Sequence, residues 1–143
     1  MKIGIVGLGF FSDDFVRLFN LHPDVDEVVV ADLDPERVKI SMEKHHLKRG
    51  FNSFEDLLDN APDVDCIGIF TQRHLHGPMV VKALKQGKNV YSAVPIGCTI
   101  EEIQEIINIV KDTRQIYMMG ETCYYYPCAM FCREKYKSGE MGK

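Results

Sequence analysis

The sequence predicts an α/β fold: a doubly wound, mostly parallel sheet with helices on both faces. Three observations carry that reading. Short apolar runs alternate with amphipathic stretches along the whole chain, the order expected of repeated β-α units. The first run, Ile3 to Val6, leads straight into Gly7-x-Gly9-x-x-Ser12 and then a helical pattern. The second run, Val28-Val29-Val30-Ala31, ends on an acid, Asp32, about 20 residues beyond the glycines.

The elements follow in order. Ile3, Ile5 and Val6 form an apolar run of the kind that is buried on both faces of a sheet. Phe11–Leu21 places Phe11, Phe15, Leu18 and Phe19 at helical spacing until His22-Pro23-Asp24 breaks it. Glu27–Ala31 is the second strand. Asp34-Pro35 opens a helix to about His46, because the fixed φ of proline suits a first turn. Phe51 closes a short third strand. Ser53-Phe54-Glu55-Asp56 has capping-box spacing and opens a helix through Asp59. Cys66–Phe70 is the fourth strand. A helix is expected from about Pro78 to Gln86, with Gly87 forming its C-terminal turn. Lys88–Ser92 is the fifth strand. Thr99-Ile100-Glu101-Glu102 is a second capping box and opens the longest helix, to about Thr113. Ile116–Met119 is the sixth strand, and a last amphipathic helix covers about Pro127–Lys137. Residues 1–122 are expected to form the main domain and 123–143 a crossover helix.

Composition narrows the class. A chain of 143 residues is one ordinary domain, and 45% hydrophobic with 27% charged residues is normal for a soluble one. The net charge of −4, with no long basic stretch, argues against a nucleic-acid partner. The one basic cluster, Lys44 to Arg49, falls where a helix ends and suits its dipole. The opening apolar run is too short for a signal peptide, and no stretch approaches the ~18 apolar residues of a membrane span. Five cysteines without a C-x-x-C pair read as reduced thiols in a cytoplasmic protein. Cys128 and Cys132 lie one helical turn apart near Cys123. Local spacing completes no metal site, so buried, inert thiols are expected.

The chemistry concentrates where strands end. Gly7 makes the tight turn, Gly9 lets backbone approach a pyrophosphate, and small Ser12 stands where a third glycine is usual. The anion would sit on the free N–H groups of the following helix, including those of Phe10 and Phe11. The bland alternative is that both glycines only shape a turn. Asp32 can accept hydrogen bonds from ribose hydroxyls and would repel a 2′-phosphate, while Leu33 supplies no phosphate-binding charge. NAD is therefore expected rather than NADP. Asp32 could also simply start the turn toward Asp34-Pro35. Asp13 and Asp14 suit the positive end of their helix, but would weaken binding if they pointed at the ligand.

Taken together and in order, several segments resemble the glucose–fructose oxidoreductase / inositol dehydrogenase / MocA family. They are the opening fingerprint, Ala31-Asp32-Leu33-Asp34-Pro35-Glu36-Arg37, Phe54 to Leu58, Thr71 to His76, Ala83 to Tyr91, and Ser138 to Gly142. The resemblance implies an N-terminal NAD(P)-binding Rossmann domain and a nicotinamide-dependent oxidoreductase acting on a sugar, polyol or related small molecule. It also implies that Thr71, Gln72 and His76 line the cofactor crevice and that Ala93 and Pro95 form a floor beneath the nicotinamide. His76 could instead cap or pack a helix, and a His74-x-His76 metal site lacks a third ligand.

Three departures stand out. Thr71-Gln72-Arg73 replaces the family's Thr-Pro-Asn, and Ala93-Val94-Pro95 replaces its Glu-Lys-Pro. Family lysines at the latter position help bind substrate and assist proton transfer; Val94 can do neither. The resemblance stops at Gly139–Gly142, where members continue into a substrate domain. The chain is therefore expected to be a cofactor domain alone, with half the substrate site missing and no turnover. Tyr124 and Tyr125 are weak candidates for an acid–base role, with packing the bland reading. Arg73 is either an anion anchor or a solvated residue. A bare tyrosine run with Met130, Phe131 and Tyr136 is expected to drive homo-oligomer formation. Two other functions stay open: a nucleotide-binding sensor without catalysis, and a scaffold that binds no dinucleotide.

Overall fold

Every strand pair in the sheet is parallel. The computed structural model describes residues 1–142. Its strands are β1 (Lys2–Val6), β2 (Glu27–Ala31), β3 (Gly50–Phe51), β4 (Cys66–Ile69), β5 (Asn89–Ala93) and β6 (Tyr117–Gly120). The helices are α1 (Phe10–Asn20), α2 (Pro35–His45), α3 (Phe54–Asn60), α4 (Arg73–Lys85), α5 (Ile100–Asp112) and α6 (Pro127–Lys137), with a 3₁₀ turn at Thr122–Tyr125. The spatial order is β3-β2-β1-β4-β5-β6. The chain winds outward from β1 to β3, then returns to pair β4 on the other side of β1. That reversal opens a crevice at the carboxyl ends of β1 and β4, where ligands of such sheets bind.

Side-chain alternation divides the core between the two faces. Ile3, Ile5, Val28 and Val30 pack with Val16 of α1 and Val38 of α2. Val29, Ala31, Ile67, Ile69 and Val90 face the other way, onto Leu57 of α3, Val80 and Leu84 of α4 and Ile106 of α5. A strand with apolar residues at every position is stable only when both faces are covered, as here. α6 has no buried residue and packs on neither face.

The helix starts follow local chemistry. Asp34 caps α2 by accepting from the Glu36 N–H, with Pro35 in the first turn. Thr99 and Glu102 form a complete capping box on α5. The box at Ser53 is only half formed. Ser53 accepts from the Asp56 N–H at 2.9 Å, but the shorter Asp56 carboxylate accepts from the Asn52 N–H instead of Ser53.

Two expectations need correction. α4 begins at Arg73, five residues before the proline taken as its start, and Pro78 lies inside it. Gly77-Pro78 reads locally as a break, but packing overrides it: His76 and Gly77 are both buried in the second turn. The cysteines are also not buried as a group. Cys98, Cys123, Cys128 and Cys132 are exposed, because the segments that carry them lie outside both cores; only Cys66, on β4, is partly covered. Burial pushes the Cys66 thiol up to about 11.

Candidate functional site

The turn after β1 is fixed by backbone geometry. Gly7 has φ +88°, and a Cβ there would lie 2.7 Å from the Phe70 carbonyl oxygen. Only glycine fits a left-handed position pressed against the end of β4. Gly9 differs. Its φ is −78°, and a Cβ would meet nothing within 4 Å. Nothing in the protein itself requires glycine there; the space in front of it lies at the start of α1. That helix has no side-chain cap, so the N–H groups of its first turn, at Phe10 to Ser12, are available to an anion. Ser12 is 1% exposed and donates its hydroxyl to the Gly9 carbonyl at 2.8 Å, which lets α1 sit close to β1.

Asp32 closes the other side of the turn. One carboxylate oxygen accepts from the Leu8 N–H at 2.6 Å and the other from the Asp34 N–H at 2.9 Å. Its side chain is only 12% exposed. Asp32 organises the turn toward α2 and also lines the crevice. Arg37 stands 4.0 Å from Asp32 and 3.6 Å from Asp34. The crevice has a volume of about 470 Å³. Gly7, Gly9, Asp32, Leu33, Thr71 and Gln72 all line it, joined by Arg37, Phe54, Glu55, Leu75 and Met79. The sequence reading did not assign this second group to the crevice. Arg37 follows Asp34 at helical i,i+3 spacing, a signal that could have found it.

The remaining expected residues fall elsewhere. Phe10 and Ser12 line a smaller adjoining groove with Ser41 and Lys44. The Phe11 ring packs at a tilt against Phe15 and Phe70 and leaves its backbone to the helix start. Asp13 does not face the crevice. Its oxygens bind Lys44 at 2.7 Å and His45 at 2.8 Å, and these bonds hold its carboxyl below the usual range. Asp14 pairs with Arg17. His76 is buried beneath the crevice and contacts the carbonyl oxygens of Thr71 and Pro95. Ala93 and Pro95 flank Val94 at the end of β5, and Val94 is 42% exposed. Tyr124 and Tyr125 are exposed on the 3₁₀ turn, where the Arg133 guanidinium lies 3.5 Å over the Tyr124 ring. The structure does not bring these tyrosines to the crevice lining. Among the described residues no group of His, Cys, Asp or Glu is placed to hold a metal ion. No helix among them is long and apolar enough to cross a membrane.

Comparison with known proteins places this geometry. The chain is 28% identical over 144 residues to the 2,7-anhydro-N-acetylneuraminate hydratase of Escherichia coli (strain K12), covering 100% of this chain and 37% of that protein. It is 33% identical over 133 residues to a glycosyl hydrolase family 109 protein of Porphyromonas gingivalis, covering 87% of this chain and 28% of that one. The scyllo-inositol dehydrogenase of Lactobacillus casei, solved with NAD(H) and scyllo-inositol, superposes with a TM-score of 0.89 at 22% identity. That match covers 100% of this chain and 42% of the dehydrogenase. The chain thus spans well under half the length of these relatives. Residues 1–121 match the oxidoreductase family with an NAD-binding Rossmann fold. The chain therefore belongs to the glucose–fructose oxidoreductase / inositol dehydrogenase / MocA family, of which it spans the N-terminal NAD-binding Rossmann domain.

Proposed function

We propose that the crevice between the carboxyl ends of β1, β2 and β4 binds NAD, and that the chain is the dinucleotide-holding part of an oxidoreductase acting on a sugar, polyol or related small molecule. One observation carries the reading. The space in front of Gly9, the uncapped start of α1 and the Asp32 carboxylate lie together at one mouth. Amide N–H groups there suit a diphosphate, and a carboxylate at the tip of the neighbouring strand suits ribose hydroxyls. Backbone at Gly9, Phe10 and Phe11 would hold the phosphates; Asp32 and Leu33 would meet the adenosine ribose. Thr71, Gln72, Ala93 and Pro95 would border the nicotinamide half, with His76 behind them. Asp32 favours NAD over NADP because a 2′-phosphate would meet its charge.

NAD supplies hydride transfer when bound, and the chain supplies position and electrostatics. Val94 holds no proton, so acid–base chemistry falls to another group. The substrate would lie between this domain and a second one, reached through the crossover segment (residues 123–143) that carries α6. A cytoplasmic setting fits the exposed free thiols, and a homo-oligomer fits the bare apolar side chains of α6. A second reading, a nucleotide-binding module without catalysis, is favoured by Val94 alone.

Calorimetric titration with NADH tests the proposal. Saturable binding that weakens in the Asp32→Ala variant is expected. No binding at millimolar NADH would end it. Hydride exchange with a polyol panel, using a chain with its second domain, separates the two readings.

A further inference from the structure

α6 carries two thiols for which the NAD reading has no use. Cys128 and Cys132 are both free and exposed, and both lie inside the regular helix Pro127–Lys137. Residues four apart on a helix stand nearly one above the other, about 6 Å apart along the axis and about 40° apart around it. Their Cβ atoms are about 5–6 Å apart. The side-chain hydrogen bonds of this segment are made by Arg133, Lys135 and Ser138, and among the described residues none involves either thiol. Both sulfurs are therefore open to a ligand from solvent.

Two sulfurs at that spacing make a clamp. A bond from thiolate sulfur to a metal such as zinc is about 2.3 Å, so a cation held between two of them spans about 4.6 Å from sulfur to sulfur. Side chains whose Cβ atoms are about 5–6 Å apart reach that span by turning toward each other. The number of ligands then chooses the metal. A structural zinc takes four protein ligands and a catalytic zinc three. Among the described residues no third His, Cys, Asp or Glu stands with this pair to complete such a set. That leaves a soft cation satisfied by two thiolates, and Cu(I) is the biological metal of that kind.

We propose that Cys128 and Cys132 form a two-coordinate Cu(I) site on the open face of α6. On binding, each thiol releases its proton to solvent, two S–Cu bonds form, and the metal keeps its oxidation state. The bis-thiolate complex carries one negative charge. Cys128 lies in a first turn that has no side-chain cap, so this charge sits beside free backbone N–H groups at the positive end of the helix. Arg133 adds a cation next to Cys132, while the nearby acid Glu140 is already paired with Lys135. The site shares no residue with the crevice, so it is independent of the NAD reading.

The test titrates the whole chain, reduced and free of oxygen, against the coloured Cu(I) complex of bicinchoninate. The chain should withdraw one Cu(I) per molecule. Cys128→Ser and Cys132→Ser should each bind at least about a hundredfold more weakly, because each loses the second, intramolecular thiol. Cys98→Ser and Cys123→Ser should bind as the wild type does. A double variant, Cys132→Ser with Met130→Cys, keeps two thiols on α6 but sets them about 160° apart around the helix, and it should bind as weakly as the single variants. All these positions are exposed, and circular dichroism should show the same fold in each variant. X-ray absorption of the loaded chain should show two sulfur neighbours. No withdrawal of Cu(I), undiminished binding in Cys128→Ser, equal binding by the displaced pair, or one Cu(I) shared between two chains would each overturn the proposal.

Discussion

The Asp32 carboxylate accepts a 2.6 Å hydrogen bond from the Leu8 N–H and thereby joins the tip of β2 to the turn after β1. Truncating it removes a charged acceptor from two backbone N–H groups and from the proposed ribose site. Asp32→Ala should weaken NADH binding by about 1.5–3 kcal/mol, measured by calorimetry, and should also lower the melting temperature. Asp32→Ser should narrow the gap between NADH and NADPH. Unchanged affinity in both variants would remove Asp32 from the site.

Gly7 and Gly9 should behave differently. Gly7→Ala forces a left-handed residue into the Phe70 carbonyl and should destabilise by roughly 2–4 kcal/mol in urea denaturation. Gly9→Ala meets open space, so its melting temperature should stay within about 2 °C of wild type while NADH affinity drops at least about tenfold. A stable Gly9→Ala chain that binds NADH normally would count against diphosphate binding there.

Acid should unfold the chain through its paired carboxylates. Hydrogen bonds from Arg49 and then Lys2 hold the Asp63 carboxyl well below its ordinary range. Lys44 and His45 do the same for Asp13, the amino terminus for Asp26, and Lys82 for Glu55. A depressed folded-state value means that the unfolded chain takes up protons first. The stabilisation is thus complete above the ordinary carboxylate range and lost as pH falls through the lower folded values. Thermal melts should be flat from neutrality to about pH 5 and fall below about pH 4, less steeply in Asp63→Asn. A melting temperature indifferent to acid would contradict these ion pairs.

Thiol accessibility follows burial. An aromatic disulfide reagent should modify Cys98, Cys123, Cys128 and Cys132 in the native chain and Cys66 only after unfolding. Two or more slow thiols in the native state would mean that α6 is covered.

Such a cover would come from self-association. Phe131 and Met130 of α6 are exposed, as are the three tyrosines before it. Light scattering should detect a dimer or larger species, and Phe131→Glu should shift it toward monomer. A wild-type monomer at high concentration would refute the homo-oligomer proposal.

The sequence by itself determined the element order, both glycines, Asp32 and the caps at Asp34 and Thr99, because each depends on neighbours within a few residues or on the period of one strand or helix. β2 could be read to the residue for the same reason: its apolar run and its terminal acid are local. Only the tertiary structure decided the rest. α4 continues through Gly77-Pro78 because Glu102, from another helix, packs against Gly77. His76 faces two carbonyl oxygens because β4 and β5 are adjacent in space. Asp13 turns from the crevice because the end of α2 offers it the Lys44 ammonium and a ring nitrogen of His45. Thr71 apart, which lies five residues from His76, the partners that fix those groups lie 19 to 32 residues away along the chain, a distance over which local pattern carries no directional information.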